Sequence, residues 1–188
     1  MNVAGIVLAG GRSSRMGSNK SLLQYEGKTL LERTKALLEM SHLTVYISAS
    51  AELHPEAIED NVSGMGPLGG ISTIFTRHPE MEAFVVIPVD MPRLNSILID
   101  KLLVHYEQSK NECEVIHFQT HELPAIICNT PKIRQYLVNS LQLSFSHARS
   151  LKEFFRNHKT LSMAYENEES FFNCNYPQEW TAFQEGVK

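Results

Sequence analysis

Apolar and polar positions alternate along the chain in two rhythms. Residues 3–9 form a nearly unbroken apolar run, the pattern of a parallel strand covered on both faces rather than of a half-exposed one. Leu30, Leu31, Thr34, Leu37 and Leu38 recur at the spacing that places one buried stripe on a helix, and Thr29 stands where it can cap that helix. Residues 43–47 predict a second short strand, 68–76 a helix entered through Gly66-Pro67, and 84–89 another buried strand. Leu98, Leu102 and Tyr106 lie one turn apart on a further helix. The apolar stretches 115–118 and 125–128, separated by 119–123, predict a hairpin. Helices over 131–141 and 147–158, a short strand over 161–164 and an amphipathic helix over 178–183 complete the pattern.

Strands alternating with helices predict an α/β fold: a mostly parallel sheet sandwiched between two helical layers, with a mixed part toward the C-terminus. A chain of 188 residues with 43% hydrophobic content is sufficient for one well-buried core, so a single domain is expected over 1–188. In open sheets of this kind ligands bind beyond the carboxyl ends of the strands, which directs attention to the loops after Ala9, Ile47 and Val89.

Charge and cysteine usage narrow the function classes. A net charge of −4 gives no general attraction for nucleic acid or an anionic membrane, so phosphate must be held locally. The three cysteines, Cys113, Cys128 and Cys174, form no CxxC pair and indicate neither a disulfide framework nor a zinc site. The opening apolar run lacks a basic leader and is too short to span a bilayer, so a cytoplasmic protein is expected.

Residues 8–20 read LAGGRSSRMGSNK, a buried strand running into a loop with glycines, two arginines and a lysine. Glycines let backbone N–H groups approach an anion, Arg15 can grip phosphate oxygens in bidentate fashion and Lys20 can act as a point charge. A solvated surface turn is the competing reading of those residue types. The segment matches neither the P-loop pattern nor GxGxxG. The strand 84–89 ends in Asp90 followed two residues later by Pro92, which delivers a carboxylate to the carboxyl edge. Such a carboxylate can bind a hard cation such as Mg²⁺, which needs only one or two of them beside substrate phosphates, or it can open a turn.

LAGGRSSRMGSNKSLL resembles the signature LAGGxSxRMGxDKxxL of the MobA-like nucleotidyltransferases, the family of the molybdenum cofactor guanylyltransferases. Further blocks match: Asp90 in its D-x-P, Gly66-Pro67-Leu68-Gly69-Gly70 before a helix, Glu122-Leu123-Pro124, and Asn173-Cys174-Asn175-Tyr176-Pro177. The resemblance implies a nucleotide-diphospho-sugar-transferase-like, Rossmann-like sheet, with a nucleotide-binding half over about 1–105 and an acceptor-binding half over about 106–188. It implies transfer of GMP from GTP to molybdopterin with release of pyrophosphate. Leu8, Ala9, Gly10 and Gly11 would border the nucleotide, Arg15 and Lys20 would hold phosphates, and Asp90 would hold Mg²⁺. Asp60 would read guanine by accepting from its ring N–H and exocyclic amine, unless it is an ordinary loop acid. Asn173 and Asn175 would serve the acceptor side, unless they form a simple turn before a helix. Relatives that use CTP or act on other phosphates, and a non-catalytic nucleotide-binding partner protein, share parts of this pattern. Transient contact with other cofactor-biosynthesis proteins is also implied. Asn19 replaces the usual aspartate and Tyr176 the usual small hydroxyl residue, and neither receives a role.

Overall fold

The computed structural model describes residues 2–10, 19–61, 64–142 and 150–186. Its central feature is a seven-stranded sheet. The strands are β1 (Val3–Leu8), β4 (Thr44–Ser48), β5 (Ala57–Ile58), β6 (Ala83–Pro88), β7 (Val115–Phe118), β8 (His121–Cys128) and β9 (Thr160–Met163), in the order β5-β4-β1-β6-β8-β7-β9. β1 pairs in parallel with both β4 and β6, and β8 alone runs against its neighbours β6 and β7. From β1 the chain moves to β4 on one side and later returns to β6 on the other. That reversal opens a crevice above the carboxyl ends of β1 and β6, where ligands of such sheets bind.

Burial explains why these segments are strands. All residues of β1 and β6 except the last of each are buried, as expected for strands covered on both faces. One covering layer contains α1 (Leu30–Met40) and α3 (Ser96–Ser109), which pack on each other, and the other contains α2 (Pro67–Arg77) and α4 (Pro131–Gln142), which do the same. Leu30, Leu31, Thr34 and Leu38 are the buried stripe of α1. Thr29 caps that helix in a reciprocal box: its hydroxyl accepts from the Glu32 N–H at 3.1 Å, and the Glu32 carboxylate accepts from the Thr29 N–H at 2.7 Å.

Several boundaries differ from the sequence expectation. The loop between β7 and β8 is shorter than 119–123, because β8 already begins at His121. Pro124 is accommodated inside that strand near a register shift of the β7–β8 ladder, where a missing N–H is tolerated. The helix expected over 147–158 is α5 (Leu151–Arg156): the Ser150 hydroxyl accepts from the Glu153 N–H at 3.1 Å and sets its start, and 147–149 lie outside the described residues. β9 lies one residue earlier than expected and pairs in parallel with β7. A small hairpin of β2 (Gln24–Tyr25) and β3 (Lys28–Thr29) and the edge strand β5 have no apolar rhythm long enough to predict them. The last helix, α6 (Pro177–Gln184), brackets the expected 178–183. No helix among the described residues is long and apolar enough to cross a membrane.

The floor of the crevice is rigid because aromatic rings lock β6 to α2. Phe84 and Phe75 are fully buried and stack at 4.7 Å between centroids. Phe84→Ala should therefore cost about 3–5 kcal/mol of stability, whereas Phe84→Leu should cost far less. Urea unfolding monitored by circular dichroism measures both.

Candidate active site

β1 ends at Leu8, and the chain then bends over the end of β4. The Ser48 carbonyl accepts from the N–H groups of both Ala9 and Gly10, each at 2.9 Å. Beyond the uncharacterised stretch 11–18, which includes the predicted Gly11 and Arg15 and lies outside the described residues, the chain returns in a 3-10 turn, Lys20–Leu22. Two contacts fix that turn. The Ser21 hydroxyl donates to the Ala9 carbonyl at 3.0 Å, and the Asn19 side-chain oxygen accepts from the Ser21 N–H at 3.0 Å. Asn19 is thus the cap of the element that carries Lys20, a role available to Asn as well as Asp.

Lys20 reaches across the crevice. Its Nζ lies 3.1 Å from Asp90 Oδ2, at the end of β6, and donates to Asn175 Oδ1 at 2.7 Å. Both charged side chains are largely covered, with 15% and 22% of their surface exposed. Asp90 is positioned from two sides. The Val89 N–H extends the β6–β1 ladder by donating to the Leu8 carbonyl at 3.1 Å, and the Asp90 carbonyl accepts from the Cys174 N–H at 2.8 Å. That second bond secures the C-terminal segment across the crevice. Cys174 is completely buried there, and burial first, then the nearby Glu179 and Asp90 carboxylates, pushes its thiol up to about 12, so it is no nucleophile.

Asp60 stands at the other end of the crevice. Its Oδ1 accepts from the Ser48 hydroxyl at 3.1 Å. Burial raises its pKa, partly opposed by that hydrogen bond. Two glycines shape this end of the crevice, one by its backbone conformation and one by the space it leaves. Gly66 caps α2 at φ +67, a conformation that disfavours any side chain. At Gly70 an added Cβ would stand 2.0 Å from Ser48 Oγ and 3.2 Å from Asp60 Oδ1.

Three cavities follow one another along this edge. The first, about 270 Å³, is lined by Gly10, Ala49, Ser50, Glu59, Asp60 and Gly64. The second, about 200 Å³, runs from Gly10 past Lys20, Ser21 and Pro67 to Asp90. The third, about 360 Å³, lies beyond Asp90 and includes Leu123, Phe171 and Asn173. Gly10 is common to the first two, and Pro88, Asp90 and Leu123 to the last two, so the three form one groove. A separate groove of about 230 Å³ between α1 and the segment around Met91 carries none of the predicted site residues.

The structure therefore gathers Leu8, Ala9, Gly10, Lys20, Asp90 and Asn175 into the centre, with Asp60 at one end and Asn173 at the other. Asn175, expected to serve the acceptor side, turns its side-chain oxygen to Lys20. Asn173 Oδ1 is buried and, among the described residues, has no hydrogen-bond partner. Ser48, Ser21 and Glu179 escaped the sequence reading. Ser48 was signalled only as the first polar side chain after the apolar run of β4, and Glu179 only as an acid in the first turn of α6, where it accepts from the Tyr176 N–H at 2.8 Å. Among the described residues no three His, Cys, Asp or Glu side chains converge as a metal cage. The lone carboxylate of Asp90 beside an anion-sized cavity fits an ion that takes most of its oxygens from phosphates and water.

Comparisons with known proteins agree with this fold. The MobA-like NTP transferase domain matches residues 5–161. A molybdenum cofactor guanylyltransferase from Xanthomonas euvesicatoria pv. vesicatoria is 34% identical over 179 residues, 94% of this chain and 92% of that protein. Among solved structures, molybdopterin-guanine dinucleotide biosynthesis protein A from Archaeoglobus fulgidus superposes with a TM-score of 0.76 at 19% identity, covering 97% of both chains. A cytidylyltransferase from Leptospira borgpetersenii does so with a TM-score of 0.72 at 13% identity, covering 98% of this chain and 85% of that one, a likeness of fold alone. The extent of the domain match and of the sequence identity places this chain in the MobA-like NTP transferase family, as a nucleotidyltransferase.

Proposed function

We propose that the protein transfers GMP from GTP to molybdopterin, with Mg²⁺ as its metal, and releases pyrophosphate. The observation that carries this reading is the meeting of Lys20 and Asp90 at 3.1 Å in the middle of a groove that has a half-buried carboxylate at one end and an unpartnered amide oxygen at the other. The similarity to the Xanthomonas guanylyltransferase supports the choice of nucleotide and acceptor.

In this reading guanine enters beside Asp60, whose carboxylate accepts from the ring N–H and the 2-amino group, a donor pair that cytosine and adenine do not present. The ribose and α-phosphate lie along Leu8, Ala9 and Gly10, with Gly11 bordering the nucleotide and Arg15 holding phosphate oxygens. Lys20 neutralises charge on the phosphoryl oxygens. Asp90 holds the Mg²⁺, which supplies positive charge to the triphosphate when bound. An oxygen of the acceptor's terminal phosphate forms a bond to the α-phosphorus as the bond from that phosphorus to the β-phosphate bridging oxygen breaks. The nucleophile is already anionic, so no side chain needs to remove a proton. Catalysis then consists of positioning two polyanions and offsetting their charge. Residues up to about 105 hold the nucleotide and those from about 106 hold the acceptor, with Asn175 reaching back to the phosphate end.

The test is pyrophosphate release from each NTP in the presence of Mg²⁺ and molybdopterin. GTP alone should support turnover. Release with CTP and none with GTP would overturn the guanylyl reading and leave the nucleotidyltransferase. Lys20→Ala and Asp90→Ala should each lower kcat by about 10²-fold or more while the circular dichroism spectrum is kept, and undiminished transfer by either would refute the roles given to them.

Asp60 adds a pH dependence. Burial raises its folded-state pKa, so the folded protein holds that proton more tightly than the unfolded chain, and this stability contribution fades as pH rises through the raised value. Guanine recognition has the opposite sign, because only the ionised carboxylate accepts both donors. GTP affinity, measured by calorimetry from neutral to mildly acidic pH, should fall as Asp60 takes up its proton. Asp60→Asn should bind GTP weakly and lose this pH dependence.

A further inference from the structure

His121 opens β8 and has no part in the nucleotide chemistry, yet its ring is held by two separate contacts. Its ring stacks on Phe171 with centroids 4.0 Å apart and planes inclined by 10°. Its Nε2 is hydrogen-bonded to Glu168 Oε2 at 2.9 Å. Behind Phe171 stand Phe118, at 5.3 Å, and Tyr165, at 5.8 Å, so the imidazole tops a packed aromatic block. One ring face is covered by Phe171, and the side chain keeps 25% of its surface exposed, bordering both the cavity beyond Asp90 and a neighbouring one of about 390 Å³ lined by His117, Lys152 and Phe155. Next to it Glu122 is exposed, borders the same cavity, and among the described residues makes no hydrogen bond or ion pair. The same cavity is lined by Asn173, whose buried Oδ1 has no partner among the described residues.

We propose that the flat heterocycle of the acceptor stacks on the free face of His121, and that Glu122 reads its 2-amino-4-oxopyrimidine edge. The proposal rests on the reading of the acceptor as molybdopterin. A pterin ring presents an N–H and an exocyclic amine side by side, and a carboxylate accepts both with its two oxygens. It also presents a π face, for which a ring already clamped by a carboxylate and a phenyl group is a pre-organised shelf of low entropy cost. The volume of about 360 Å³ is within the usual range of small-molecule sites. The cavity shares Asp90 with the phosphate-sized one, so a heterocycle seated here directs its phosphate toward Lys20 and Asp90. Asn173 Oδ1 is then an acceptor for a further N–H of the ring system.

Three variants of the full chain separate stacking, edge reading and folding. Glu122→Gln keeps the shape of an exposed side chain and removes one of the two acceptors; it should raise KM for molybdopterin about tenfold or more and leave the GTP dissociation constant unchanged. His121→Ala should weaken acceptor binding similarly, and His121→Phe should restore most of it, because a phenyl ring keeps the stacking face and cannot exchange protons. Free pterin, whose fluorescence stacking quenches, is the binding probe. Quenching by the parent protein that is lost in Glu122→Gln and His121→Ala supports the proposal. Transfer of GMP to molybdopterin with the parent KM in both Glu122→Gln and His121→Ala overturns it. A parent protein that guanylylates a different phosphate-bearing acceptor and neither binds pterin nor uses molybdopterin removes the acceptor reading itself, and with it the inference.

Discussion

The contact between Lys20 and Asp90 organises this molecule, and much of the fold consists of what is needed to make it. The two residues are far apart in sequence and meet because β1 and β6 are parallel neighbours whose carboxyl ends lie level. Lys20 comes from a turn fastened to the end of β1 by Ser21 and capped by Asn19, and Asp90 from a strand end held by Leu8 and Cys174. With most of each side chain covered, removal of either partner leaves a poorly solvated charge. The fully buried apolar residues of β1 and β6 beneath them provide the stiff floor on which that geometry is kept.

The groove above this pair is graded. Its ends use polar groups that lack part of their hydrogen-bonding complement: among the described residues, half-buried Asp60 has one hydroxyl donor and Asn173 Oδ1 has none. Such groups are costly to bury and persist where a ligand completes them. The centre instead is internally satisfied, because Lys20 already holds Asp90 and Asn175.

Much of this was legible from the sequence, and the reasons are physical. Strands buried on both faces write themselves as apolar runs, which revealed β1 and β6, and the stripe on α1 with Thr29 before it fixed that helix and its start. The glycine-rich loop and Asp90 were visible because a strand end followed by such residues is a rare combination. Elements of two residues, such as β2, β3 and β5, carry no period to read. Contacts between distant segments are equally silent: nothing in Asn173-Cys174-Asn175 indicates that one amide turns to Lys20 while the other lines a cavity. Asn19 looked like a lost charge when set against the family pattern. In the structure the charge is irrelevant to its task, since capping requires only an acceptor oxygen.

The mutual neutralisation of Lys20 and Asp90 has a thermodynamic corollary. A cation that claimed the carboxylate alone would leave the ammonium without its counter-ion, and a polyphosphate that claimed the ammonium alone would do the same to the carboxylate. Arriving together, each supplies the other's lost partner, so ion and polyphosphate should strengthen one another's binding reciprocally, as linkage requires. An ion pair that looks like a static brace is in this respect a lock with two keys.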